Sequence, residues 1–203
     1  MNFDTRIFLD INHFARDTPW LQPIMSAYAG YGIALFAVLM LAGWWVARQR
    51  ADSAIMAAAL WAPIGMLIAL AINQPIAAMV GESRPYTALS GILVLAHRST
   101  DPSFPSDHAV ASGAVAAALF LVHRGLGLAA AAAALVMAFA RVYIAAHFPQ
   151  DVLAGLLLGA AVSVGGFFLA RHALVRLVSL LESTRLRPLL TADSAIPSGP
   201  VTR

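Results

Sequence analysis

Residues 54–72 read AIMAAALWAPIGMLIALAI, an apolar run without a single charged side chain. Its length matches the roughly 20 residues a helix needs to cross the hydrocarbon core of a bilayer. Ala, Leu, Ile and Met follow one another without the in-out alternation of a membrane strand, so the run reads as a helix and not as one stave of a barrel. A run of the same kind covers about Ile24 to Val46. Three more, weaker at their edges, cover about His108 to Val122, Leu126 to Tyr143 and Asp151 to Ala170. The expected architecture is all-α, a multi-span transmembrane helical bundle of about five spans.

Composition agrees. The chain of 203 residues is 60% hydrophobic and 11% charged, about half the charged fraction of a soluble domain. Residues 1–183 are expected to form a single membrane-embedded domain. At its start, Phe3, Ile7, Ile11 and Phe14 recur at helical spacing with Asp4, Asp10 and Asp17 among them, and no basic segment leads into an apolar core. That pattern describes an N-terminal interfacial helix lying on the membrane rather than a signal peptide. Residues 184–203 mix Pro, Ser, Gly, Thr and Arg without periodicity, which predicts a flexible cytoplasmic tail. Cysteine is absent, which excludes disulfides and thiol chemistry.

All 13 cationic side chains are arginine. Arg48 and Arg50 fall between the first two spans, Arg124 between the third and fourth, and Arg171, Arg176, Arg185 and Arg187 after the last. They share one side, which the positive-inside rule makes cytoplasmic. Span ends, not a basic stripe, hold the excess charge, so the net +3 points to topology and not to nucleic acid. Arg84, Arg98 and Arg141 break the bias by falling on the outer side. Anion binding gives them a reason to be there.

Three polar clusters also fall on the outer side: Ser83-Arg84-Pro85-Tyr86, Phe104-Pro105-Ser106-Asp107-His108, and Arg141 with His147 and Asp151. Taken singly, a membrane-edge arginine is an ordinary interfacial anchor. Three clusters at one level of the bilayer are costly without a function. Ser106 suits the N-cap of a helix whose free N–H groups attract anions, and His108 lies in its first turn. Pro149 suits the first turn of another helix, which sets His147 in the bend before it and Asp151 just inside. Asp151 can then accept the Nδ1 proton of His147 and leave Nε2 free as a nucleophile. Arg141 neutralises phosphate oxygens from the side.

These residues resemble the type 2 phosphatidic acid phosphatase superfamily of lipid phosphate phosphatases, over about residues 73–155. Arg84-Pro85 fits the end of its first motif, Pro105-Ser106-x-His108 the second, and Arg141-x5-His147-x3-Asp151 the third. Three positions depart from the pattern: Ala77 stands where a lysine belongs, Asp107 for a glycine and Ala140 for a serine. Arg98, Asn73 and Gln74 are candidates to replace the lysine. Asp107, with Phe104-Pro105-Ser106 and Asn73-Gln74, is most similar to the bacterial undecaprenyl-diphosphatase branch.

The resemblance implies His147 as the attacking nucleophile, forming a phosphohistidine, His108 as the proton donor to the leaving oxygen, and Asp151 as the partner of His147. It implies that Arg84, Ser106 and Arg141 hold the phosphate. The expected reaction is hydrolysis of undecaprenyl diphosphate for recycling of the cell-wall lipid carrier, in a bacterial plasma membrane, with the site on the extracytoplasmic face. Fixed guanidinium and N–H donors suffice for such chemistry, so no metal or other cofactor is expected. The expected partners are the bilayer and its lipid phosphate substrate, with a homodimer left open. Competing readings are a phosphatidic acid or phosphatidylglycerol phosphate phosphatase, a metal hydrolase using His97, His108, His147 and Asp151, and an anion transporter. The spans themselves carry almost no charge, which disfavours the transporter. Gly155 and Gly159 are expected to serve close helix packing.

Overall fold

The structure, a computed structural model, describes residues 3–192, and every regular element among them is a helix. In chain order these are α1 (Phe3–Asp17), α2 (Gln22–Tyr31), α3 (Ile33–Arg50), α4 (Ser53–Val80), α5 (Pro85–Ala88), α6 (Asp107–Val122), α7 (Arg124–Tyr143), α8 (Pro149–Glu182) and α9 (Arg187–Leu190). Helices α4, α7 and α8 are each long and apolar enough to cross a membrane, and α2 with α3 makes a fourth span if the bent pair is counted as one. The chain is a membrane protein.

The predicted span from Ile24 to Val46 is broken at Gly32, where α2 and α3 meet at 54°. A Cβ on Gly32 would lie 2.4 Å from the Tyr28 carbonyl oxygen and 2.8 Å from the Met137 side chain. The break therefore lets the backbone approach α7. The predicted span at His108–Val122 is α6. Its 16 residues rise about 24 Å, short of a bilayer core of about 30 Å. Helix α6 is instead the buried axis of the bundle, wrapped by α4, α7 and α8, and it has buried side chains on all sides, from Ala109 and Val110 to Leu119 and Val122.

Small residues make that wrapping possible. A Cβ on Gly159 would lie 2.0 Å from the Val110 carbonyl oxygen, one on Gly155 2.8 Å from that of Ser106, and one on Gly113 2.5 Å from that of Leu156. The backbones of α6 and α8 are thus in direct contact, the packing that small residues allow inside lipid. Longer side chains fill the far end of the bundle, where Met56, Trp61, Val122, Phe167 and Val178 share one core. Helix α8 runs to Glu182, twelve residues past the predicted end at Ala170. Arg171 and Arg176 lie within the helix and do not end it.

The tail predicted from residue 184 is in part a fixed element. Leu190 is buried in the far-end core. Trp44 Nε1 donates to the Leu189 carbonyl at 3.0 Å, Arg48 Nε to that of Pro188 at 2.7 Å, and the Ala192 amide to that of Arg48 at 3.0 Å. An apolar Leu–Leu pair after Pro188, with carbonyls in reach of α3, gives this segment something to bind. The rest of the predicted tail, 193–203, lies outside the described residues.

Helix α1 has the expected amphipathic form, and its inner face does more than float on an interface. Phe8, Asn12 and Ala15 are buried, Phe8 edge-on to Phe148 with ring centroids 5.3 Å apart. Asn12 exchanges two hydrogen bonds with the backbone of Leu93, at 2.7 and 2.9 Å. Arg16 donates to the Gly91 carbonyl. Helix α1 thereby ties down the loop between α5 and α6 at Gly91 and Leu93.

Candidate active site

At the end of the bundle where α4 and α7 finish and α6 and α8 begin lies a cavity of about 470 Å³ lined by Gln74, Ala77, Arg84, His97, Asp107, His108, Arg141 and His147, among others. Four of the six predicted site residues, Arg84, His108, Arg141 and His147, stand on its wall. Each is delivered by a helix end. Arg84 is the N-cap residue of α5, His108 sits in the first turn of α6, Arg141 in the last turn of α7, and His147 in the bend before α8.

His147 is the focus of the site. Only 2% of its surface is exposed, so almost all its ring contacts are with protein. Nε2 lies 3.2 Å from Arg141 Nη2 and 3.4 Å from Arg84 Nη1. Two guanidinium groups therefore flank the nitrogen that faces the cavity. Burial, then the charges of Arg141 and Arg84, hold the imidazole pKa well below its ordinary 6.5, against the opposing pull of a hydrogen bond to the Ser103 backbone. At neutral pH the ring is uncharged and keeps a lone pair for attack.

The other ring nitrogen departs from expectation. Nδ1 is 2.8 Å from the carbonyl oxygen of Ser103, whereas the Asp151 carboxylate is 3.6 Å away, beyond hydrogen-bond reach. Asp151 is engaged elsewhere: its Oδ2 accepts from Ser103 Oγ at 2.6 Å and from the Phe148 amide at 2.7 Å. The acid at the third position of α8 caps its own helix, as acids there do, and that turns it from the imidazole. The acceptor beside Nδ1 is thus a backbone carbonyl and not the predicted carboxylate. No sequence motif marks a carbonyl; the nearest legible signal was the Ser103 hydroxyl, two residues ahead of Pro105.

Ser106 is at the predicted N-cap position of α6, yet its hydroxyl makes no cap bond. The residue is fully buried, its Oγ has no partner, and it is not on the cavity wall. Its backbone explains this: the Ser106 amide donates to the Asp151 carbonyl at 3.1 Å, and its own carbonyl packs against Gly155. Close contact with α8 turns the side chain inward.

The candidate replacements for the missing lysine have other tasks. Asn73 Nδ2 donates to Asp107 Oδ1 at 2.7 Å and to the Pro105 carbonyl at 3.1 Å, and Gln74 Nε2 donates to Asp107 Oδ1 at 3.1 Å. They orient Asp107 at the cavity edge. Arg98 lies over the Tyr86 ring, 5.5 Å from its centroid. The cations on the cavity wall are thus Arg84 and Arg141. Arg84 is fixed by hydrogen bonds to the carbonyls of Asp101 at 2.9 Å and Ala146 at 3.3 Å. Arg141 reaches the Ala29 carbonyl at 3.5 Å. Among the described residues no three His, Asp or Glu side chains converge as a metal-ligand group.

Such a cavity can receive a tetrahedral anion between two guanidiniums, with a neutral imidazole on one side and a second imidazole near by. The family model described as the PAP2 superfamily matches residues 58–173. The undecaprenyl-diphosphatase BcrC of Bacillus subtilis is 29% identical over 87% of this chain and 86% of its own. The putative undecaprenyl-diphosphatase YbjG of Escherichia coli is 29% identical over 78% of each. Among solved structures, Aquifex aeolicus LpxE superimposes with a TM-score of 0.60 at 21% identity, covering 83% of this chain and 96% of that one.

Proposed function

The chain belongs to the PAP2 superfamily, and from that premise we propose that it hydrolyses undecaprenyl diphosphate to undecaprenyl phosphate through a phosphohistidine on His147. That it is a membrane lipid phosphatase follows from the family and the relatives. The substrate is inferred from the two undecaprenyl-diphosphatase relatives and the Asp107 variant of the second motif. The observation that carries the mechanism is His147 Nε2, uncharged and set between Arg84 and Arg141 at the cavity.

In the first step Nε2 attacks the terminal phosphorus and the bond to the bridging oxygen breaks. His108 gives that oxygen a proton. In the second step water attacks the same phosphorus, His108 takes the water's proton, and the N–P bond breaks to release inorganic phosphate and restore the lone pair. Arg84 and Arg141 stabilise the charge on the equatorial oxygens throughout, for which fixed donors in a water-poor site are well suited.

The reading places the chain in a bacterial plasma membrane with the cavity outside. Its support is the opposite end of the bundle, where Arg48, Arg50, Arg124 and Arg187 gather at helix ends. Since the chain has no cysteine, Thr100→Cys in the outer loop gives a single label site. A membrane-impermeant maleimide is expected to label it in intact cells; labelling only after lysis overturns the orientation.

Purified protein without added metal is to be assayed for phosphate release from undecaprenyl diphosphate, phosphatidic acid and phosphatidylglycerol phosphate. The highest kcat/KM is expected for undecaprenyl diphosphate, and a clear preference for either phospholipid overturns the substrate. Radiolabelled phosphate is expected to stay on the quenched wild type and not on His147→Ala.

A further inference from the structure

Ser103 touches the candidate nucleophile and its acidic neighbour at once. Its carbonyl accepts from His147 Nδ1 at 2.8 Å, and its hydroxyl donates to Asp151 Oδ2 at 2.6 Å. Its amide donates to the Glu82 carbonyl at 2.8 Å. The residue is fully buried, so water competes for none of these bonds. Both polar backbone groups and the side chain are committed, which fixes where the carbonyl points.

We propose that Ser103 is a positioning residue for the phosphatase reaction: its hydroxyl locks the loop to Asp151, and its carbonyl thereby holds His147 in the tautomer and rotation that aim Nε2 at phosphorus. Asp151 acts on His147 through Ser103, because the carboxylate itself stands 3.6 Å from Nδ1. A carbonyl can only accept, so it requires the proton on Nδ1 and leaves Nε2 as the basic atom. Arg84 and Arg141 beside Nε2 reinforce this, since guanidinium groups can only donate. Without the hydroxyl, the loop residue keeps its carbonyl but loses the tie that sets its direction.

The inference rests on His147 being the nucleophile, so the test carries His147→Ala beside Ser103→Ala, Ser103→Thr, Asp151→Asn and the double variant Ser103→Ala/Asp151→Asn. Each is purified in detergent, checked for monodisperse elution, and assayed with undecaprenyl diphosphate. For Ser103→Ala, kcat is expected to fall about 10- to 100-fold, as when a hydrogen-bonded partner that orients a functional imidazole is lost. KM is expected to hold, because Ser103 is not on the cavity wall. Ser103→Thr, which keeps the hydroxyl, is expected to recover most of kcat. The double variant is expected to be no slower than Asp151→Asn alone, because the two act as one unit.

Wild-type kcat in Ser103→Ala overturns the proposal, as does a loss confined to KM or losses that multiply in the double variant. If Ser103→Ala fails to fold, Ser103→Cys, of similar volume with a weaker donor, is expected to show reduced kcat at unchanged KM; full kcat there overturns the proposal equally. An active His147→Ala enzyme sinks the nucleophile reading itself, whatever the Ser103 variants do.

Discussion

The two ends of the bundle are held together by different means. At the cavity end, Asn12, Asn73, Ser103, Ser106, His147 and Asp151 are all buried polar residues, most of them tied to loop backbone by hydrogen bonds. At the arginine end the core is Met56, Trp61, Val122, Phe167, Val178 and Leu190, and it is apolar. Apolar burial is non-directional, so that end tolerates small shifts and contributes stability. Hydrogen-bonded burial is directional and leaves an unpaired group if one member is lost, so the cavity end fixes positions. One end gives the enzyme its persistence and the other its geometry.

Substitutions at each end test that division. The largest effect is expected for His147→Ala, with kcat down about 10⁴-fold or more while thermal unfolding in detergent stays near that of the wild type. An active variant, or one that fails only because it unfolds, breaks the comparison. Next is Arg141→Gln, expected to lower kcat/KM about 100-fold. The same variant has a signature in pH. In the proposed mechanism His147 acts in its neutral form, and burial with the charges of Arg141 and Arg84 holds its pKa well below 6.5, so the acidic limb of kcat/KM is expected below pH 6.5 in the wild type. Removing the Arg141 charge relieves repulsion on the imidazolium, the pKa rises, and the limb moves to higher pH. A limb that stays put or moves down contradicts the electrostatic role.

At the other end, Leu190→Ala is expected to lower stability by about 2 kcal/mol, seen as a lower Tm, with kcat and KM unchanged. A lower kcat there joins the two ends and breaks the division. The smallest effect is expected for Ser106→Ala, whose hydroxyl is buried without a partner. Activity should hold within about twofold and stability within about 0.5 kcal/mol. A marked rise in KM would return Ser106 to the phosphate cradle.

Most of the architecture was legible because a lipid environment demands long apolar helices, and α3, α4, α7 and α8 each announce themselves by composition. What escaped were features that composition does not encode. Gly30, Tyr31 and Gly32 do not interrupt hydropathy, so the break between α2 and α3 was hidden. The end of α8 was drawn at the first arginine, although good helix formers continue to Glu182. In the site, Arg84, His108, Arg141 and His147 were legible because each contributes a distinctive side chain at fixed spacing from a proline or helix end. The Ser103 carbonyl was not, since every residue has one. Ser106 was misplaced because N-cap preference describes the position and not what surrounds the hydroxyl when the backbone of α8 packs against it at Gly155.

Helix α1 has a consequence for the order in which the enzyme is made. Its Asp4 accepts from the Gln150 amide at 2.8 Å, across 146 positions of chain, and Phe8 meets Phe148 beside His147. Helix α1 therefore cannot dock until the start of α8 has been made. Closing so long a loop has to precede any gain from the contacts it permits. The bend at His147 and Phe148 gains the support of α1 only after that joining.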